Sequence, residues 1–218
     1  GVSGYSCLDY EDVEDGINTL FPAVPKVKIA SADREYIKNK YQTMNTENRA
    51  PSDEQADAII YANLPIERDG AQTKQGGVKP KNLIITGGPG TGKTTVICNL
   101  LWELLSKKEN ADKKYSVYMA AFSGKAAKRI KESIMDSLNK MKPELRQERA
   151  YKIISDVQPL TIHKLLGMSN VNAHEIKQFP SDSIFVIDEA SMIDVELFAK
   201  LLNVIKQPAN ARVFLLGD

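Results

Sequence analysis

The chain has 218 residues, 42% of them hydrophobic, enough to bury a core as one large domain or one domain with an appendage. Lys and Arg number 29 against 28 Asp and Glu, a net charge of +1, so no global field declares a nucleic-acid or membrane partner and any such partner must show in local charge. The first residues lack the basic start and apolar core of a signal peptide, and no apolar run approaches the ~20 residues that span a bilayer. Cys7 and Cys98 show no metal or disulfide spacing. A soluble protein of the reducing cytoplasm is expected, with Cys98 buried among apolar helix positions.

Residues 1–50 differ in pattern from the rest of the chain. An acidic cluster (Asp9, Glu11, Asp12, Glu14, Asp15) precedes "FPAVPKVK" and a polar stretch of weak periodicity, which suggests a small peripheral segment with a solvated acidic face. From Pro51 the pattern sharpens. In "SDEQADAIIYA", Ser52 and Gln55 have capping-box spacing at the start of a helix whose buried stripe is Ile59 and Ile60. The segment 67–81 is rich in glycine and reads as a surface loop.

Strand and helix patterns then alternate. "NLIIT" reads as a short buried strand, and Val96, Ile97, Leu100, Leu101, Leu104 and Leu105 recur at helical spacing. "YSVYMAAF" is a second strand, followed by a helical stripe of Ala127, Ile130, Ile134, Leu138 and Met141. "SIFVI" and "RVFLL" are further strands, separated by a helix marked by Phe198, Leu201, Leu202 and Ile205. This rhythm predicts an α/β fold, a parallel sheet with helices on both faces.

Between the first strand and its helix lies "GGPGTGKTT", residues 87–95, which meets the P-loop pattern in the required context. Its backbone N–H groups, from Gly88, Pro89, Gly90, Thr91 and Gly92 through Lys93, Thr94 and Thr95, form the expected phosphate cradle, proline itself contributing none. Lys93 is expected at the β- and γ-phosphates and Thr94 at magnesium. The complementary carboxylates are Asp188 and Glu189, at the C-terminal mouth of "SIFVI" and expected on a strand neighbouring the P-loop strand. Asp188 is expected to hold Mg2+ through its water shell and Glu189 to take a proton from attacking water. These residues admit both a nucleotide hydrolase that does work and a binding switch.

After the second strand, Ser123, Gly124 and Lys125 open a helix that continues with Lys128, Arg129 and Lys131. Between Lys113 and Lys152 there are 11 basic and 4 acidic residues, a local excess of 7. A helix start with free N–H groups and this charge suits the backbone phosphate of a nucleic acid; a basic solvent-facing helix is the alternative.

"GGPGTGKTT", "SGKAAKR", "TIHKLLG", "VIDEASMID" and "ARVFLLGD", in this order, resemble motifs I, Ia, T-x-H, II and the start of III of superfamily 1 helicases, and most closely the RecD family, the alpha subunit of exodeoxyribonuclease V. The resemblance covers roughly residues 51–218. It implies a RecA-like first motor domain over those residues, with ATP and Mg2+ as cofactors, Gln55 contacting the adenine, Ser123 and Gly124 touching the DNA backbone, and Thr161 and His163 near the DNA path, a structural hydrogen bond being the alternative for His163. It further implies 5′→3′ translocation on single-stranded DNA with unwinding of the duplex ahead, and the other exodeoxyribonuclease V subunits as partners. In that family a glutamine shortly after the position of Asp218 senses the γ-phosphate, and a second RecA-like domain adds arginines to the same ATP. The chain by itself is therefore expected to bind nucleotide weakly and hydrolyse it slowly. A stand-alone RecD-like or relaxase-linked helicase, and a nucleotide-dependent DNA-binding regulator without motor activity, are the alternatives. His174 matches no motif.

Overall fold

The computed structural model describes residues 8–21, 29–63, 82–107, 114–168 and 178–217. Its centre is a five-stranded sheet of β1 (Leu83–Thr86), β2 (Ser116–Ala121), β3 (Leu160–Thr161), β4 (Ser183–Asp188) and β5 (Arg212–Gly217), in the order β1-β5-β4-β2-β3 with every pair parallel. Strand residues alternate between faces, so each strand feeds two cores. Ile184 and Val186 of β4, with Phe214 and Leu216 of β5, enter one core; Phe185, Ile187, Val213 and Leu215 enter the other. Central strands buried on both sides read as unbroken apolar runs, which is why "SIFVI" and "RVFLL" stand out.

The first core is covered by α2 (Ser31–Met44), α3 (Asp53–Asn63), α4 (Lys93–Ser106), α5 (Gly124–Asn139) and α6 (Arg149–Asp156). The second is covered by α1 (Leu8–Leu20), the short α7 (Ile162–Leu165) and α8 (Val195–Ile205). The expected α/β architecture with helices on both faces is thus present, and Cys98 is buried in the first core, where desolvation pushes its thiol up to about 12.

Several expectations are corrected. β1 is not a buried strand. Among the described residues it is an edge, paired with β5 alone, and Ile84 on its outer face is 51% exposed. Nor does β1 neighbour the strand carrying Asp188, because β5 runs between them. Ile60 is only half-buried; the inner face of α3 is Ala56, Ile59 and Ala62. The two-residue β3 and the helices α1 and α2 carry too little apolar periodicity to be read from sequence, α2 burying only Ile37 and Tyr41.

α2 is nevertheless fastened to the rest. Arg34 forks onto Asp57 of α3 at 2.7 and 2.8 Å, and Lys40 meets Glu103 of α4 at 2.6 Å. The Tyr41 hydroxyl donates to the Asn99 carbonyl at 2.6 Å and to Glu103 at 3.0 Å, and burial, with the neighbouring Glu103 carboxylate, holds its pKa well above the usual value. The chain just after α2 runs beside the end of α5: the Thr46 N–H donates to the Lys140 carbonyl and the Lys142 N–H to the Met44 carbonyl, at 2.7 and 2.9 Å. Cys7, His174, Asp218, the 67–81 loop and the side chains of Asp9, Glu11 and Asp12 lie outside the described residues; Glu14 and Asp15 are exposed.

Candidate functional site

The loop between β1 and α4 curls because Gly90 and Gly92 adopt φ of 79° and 82°, a left-handed backbone that side chains rarely take. At Gly92 the space is closed as well, since a Cβ there would stand 2.7 Å from Gln55 Nε2. Gly92 caps α4 without a side-chain acceptor, so N–H groups of the helix's first turn open into a cavity of about 350 Å³. Gly88 through Thr95 line it on one side; Ser133, Asp136, Ser137 and Lys140 of the α5 region line it on the other. Lys93 donates its ammonium to the carbonyls of Gly87 and Gly88, Thr94 is half-buried in the first turn, and the Thr95 hydroxyl lies 3.4 Å from that of Ser137. A concave run of N–H groups with one ammonium and two hydroxyls fits a polyphosphate.

Gln55 has two attachments. The capping box is formed, with Ser52 N–H donating to Gln55 Oε1 at 3.0 Å and Gln55 N–H to Ser52 Oγ at 3.2 Å. Its Nε2 also donates to the Thr91 carbonyl at 3.0 Å, tying the start of α3 to the P-loop. The helix-capping role and a place at the loop therefore coexist.

Asp188 ends β4, and its Oδ1 accepts from the Glu189 N–H at 2.9 Å. Glu189 has φ 53° and ψ 38°, a left-handed conformation that costs a non-glycine residue energy and that clusters at functional sites. β5 links the two halves of the site. The Gly87 N–H donates to the Gly217 carbonyl at 3.3 Å, and a Cβ on Gly217 would lie 3.6 Å from Ser191 Oγ in the turn after Glu189. The intervening strand separates the P-loop root from Asp188 by two strand spacings, ~10 Å, room for phosphate and a hydrated metal. Among the described residues no three His, Cys, Asp or Glu gather to cage a metal, and Thr94 with Asp188 suits the few protein ligands magnesium accepts.

On the same edge, Ser123 caps α5 by accepting from the Ala126 N–H at 3.1 Å, Gly124 is open and Lys125 exposed. Ala121 pairs with Thr161, so the turn after β3 lies alongside; there Thr161 accepts from the Lys164 N–H at 3.3 Å and His163 is exposed. Lys131 is different. Its ammonium donates to the carbonyls of Ser155 and Val157, capping the end of α6, so this part of the basic excess is structural.

A second cavity, of about 250 Å³, was not visible in the sequence. Thr95, Ser137 and Lys140 line both it and the phosphate cavity, so the two adjoin, while the buried Tyr41 and Asn99 line its inner wall. The only local signal was a lone amide in the apolar stripe of α4.

Loop, strand order and acidic pair define a P-loop nucleotide-binding domain. The chain belongs to the AAA domain family, which matches residues 71–218. It is similar to RecBCD enzyme subunit RecD of Haemophilus influenzae, 37% identical over 147 residues, 65% of this chain and 22% of that protein. It is similar also to RecBCD enzyme subunit RecD of Mycolicibacterium smegmatis, 33% identical over 141 residues, 62% of this chain and 24% of that protein. The resemblance to RecD carried by the motifs therefore holds, and the chain spans less than a quarter of the length of these relatives. Among the described residues no helix is long and apolar enough to cross a membrane.

Proposed function

We propose that residues 51–218 are the first RecA-like motor domain of an ATP-dependent 5′→3′ DNA helicase of the RecD type, acting with the other subunits of an exodeoxyribonuclease V in recombination and repair. One observation carries this reading: the P-loop, the Asp188–Glu189 pair and the Ser123–Lys125 and Thr161–His163 turns all open on the C-terminal edge of one parallel sheet. Ligands of open α/β sheets bind at that edge. A nucleotide switch needs only the first two elements; the basic third is what a polynucleotide motor adds.

In this mechanism Lys93 exchanges the Gly87 and Gly88 carbonyls for oxygens of the β- and γ-phosphates, placing a positive charge where negative charge builds in the transition state. N–H groups from Gly88 to Thr95 hold the remaining oxygens. Thr94 and Asp188 hold Mg2+, which when bound neutralises phosphate charge. Glu189, at a left-handed backbone position directly after the end of β4, accepts the proton of the attacking water. Ser123, Gly124 and Lys125, with Thr161 and His163, contact the backbone of single-stranded DNA ahead of the duplex.

Steady-state ATP hydrolysis and strand separation by the whole protein test the proposal. A 5′-tailed duplex should be unwound with DNA-stimulated hydrolysis of ATP. No unwinding at all, or unwinding confined to 3′-tailed substrates, would contradict it.

A further inference from the structure

The phosphate cavity has two walls, and only one of them is the P-loop. The other is a stripe of α5, Ser133, Asp136, Ser137 and Lys140, spaced three and four residues apart on one helical face. Ala127, Ile130, Ile134 and Leu138 of the same helix are buried in the first core. The stripe is thus left polar along its length.

One contact sets the register between the walls. The Ser137 hydroxyl donates to the Ser133 carbonyl at 3.0 Å, so in its 3.4 Å meeting with the Thr95 hydroxyl it is the acceptor. Thr95 lies two residues beyond Lys93, on the first turn of α4. A P-loop lysine reaches the β- and γ-phosphates while the loop's N–H groups cradle the α- and β-phosphates, so the α-phosphate lies to one side of Lys93. A nucleoside attached there needs room beyond the loop, and the adjoining cavity borders this one at Thr95, Ser137 and Lys140.

Lys140 is the one cation of the α5 stripe. Its backbone is anchored: Thr46 gives its N–H and its hydroxyl to the Lys140 carbonyl at 2.7 and 3.0 Å, and the Lys140 N–H donates to the Asp136 carbonyl at 3.2 Å. Its ammonium is not. It makes no hydrogen bond or ion pair with any described residue, Asp136 one turn earlier included, whereas Lys128 faces Glu132 and Lys131 caps α6.

We propose that Lys140 binds the α-phosphate of the nucleotide, across the cavity from Lys93 at the β- and γ-phosphates. An ammonium on a flexible stem is a compact charge with three donors, suited to a phosphate oxygen. Two cations from facing walls then grip the polyphosphate at both ends, and inorganic pyrophosphate, seated at Lys93, engages only one. The assignment rests on the nucleotide reading of the P-loop.

Calorimetry on the full-length chain with ADP, the two diastereomers of ADP carrying sulfur on the α-phosphate, and inorganic pyrophosphate tests it. Lys140→Ala should weaken ADP about three- to ten-fold at low salt and leave pyrophosphate affinity unchanged. Lys140→Arg should recover most of that loss, and neither variant should alter the melting temperature, since the anchoring bonds are made by the backbone. Sulfur is a weak acceptor, so one diastereomer should bind the unaltered chain less tightly than ADP and lose that handicap in Lys140→Ala. Unchanged ADP affinity, equal losses for ADP and pyrophosphate, or handicaps that persist in both diastereomers overturn the assignment while keeping the phosphate loop. A chain that binds neither ADP nor pyrophosphate loses the nucleotide reading itself, and the role of Lys140 with it.

Discussion

At the β1–β5–β4 end of the sheet's rim, polar groups are already held by the protein: Lys93 by two loop carbonyls, Gln55 by Ser52 and Thr91, Asp188 by the Glu189 N–H. At the β2–β3 end the hydroxyls of Ser123 and Thr161 cap their own turns, while Lys125 and His163 stand exposed. The difference matches the two ligands proposed. A triphosphate presents one geometry, and loop N–H groups fixed in advance need no reorganisation as charge develops, once Lys93 has traded its carbonyls for phosphate. A flexible polynucleotide presents many geometries, and affinity for it comes largely from charge and counterion release. Substitutions at the first end should therefore act steeply on chemistry, and those at the second gradually on binding.

The largest effect is expected at Lys93. Lys93→Ala should lower ATP turnover of the whole protein by at least ~10²–10³-fold with the fold intact by circular dichroism, and unchanged turnover would remove the loop from the mechanism. Glu189 sharpens the contrast in a different way. Glu189→Gln should cost ~10²–10⁴-fold in turnover while nucleotide affinity survives. Glu189→Gly should abolish turnover yet stabilise the chain by about 1 kcal/mol in denaturant unfolding, because glycine adopts φ of 53° without penalty. A destabilised glycine variant would show that the carboxylate, and not the backbone, is what the fold needs there.

Gln55 comes next and depends on a contact that sequence pattern half revealed. Gln55→Ala removes the capping-box partner and the tie to Thr91 together, so it should cost ~1–2 kcal/mol of stability and weaken ADP and pyrophosphate by the same factor. A loss confined to ADP would mean that Gln55 contacts the base. The spacing of Ser52 and Gln55 makes the cap legible, but the reach to Thr91 needs α3 set against the P-loop, which no local window contains. The same limit governs the rest of the fold. "GGPGTGKTT" and the apolar runs before Asp188 and Gly217 are legible because their chemistry and periodicity are local. That β5 intervenes between β1 and β4, and that Ile84 is left on an exposed edge, follow from strand order, which the periodicity of a strand does not encode. Asn99 has no local signal beyond an amide among leucines; that it shares a cavity wall with Tyr41, Met141 and Ser137 follows from tertiary packing.

The smallest effects test whether the basic excess on α5 is one surface or two populations of cations. Lys125 is exposed at the helix start, whereas Lys131 is spent on the carbonyls of Ser155 and Val157. If Lys125 contacts a backbone phosphate of single-stranded DNA, Lys125→Ala should lower the slope of log affinity against log salt concentration by ~0.7, leaving the melting temperature unchanged. Lys131→Ala should do the reverse, leaving the slope intact and costing about 1–2 kcal/mol, because the end of α6 loses a charged donor to two carbonyls. Fluorescence anisotropy with a labelled oligonucleotide across a salt series, beside denaturant melts, separates the pair. Equal slope changes for the two lysines would mean that Lys131 leaves its carbonyls when DNA arrives, and that the nucleic-acid end of the rim, like Lys93 at the other end, trades internal hydrogen bonds for phosphate.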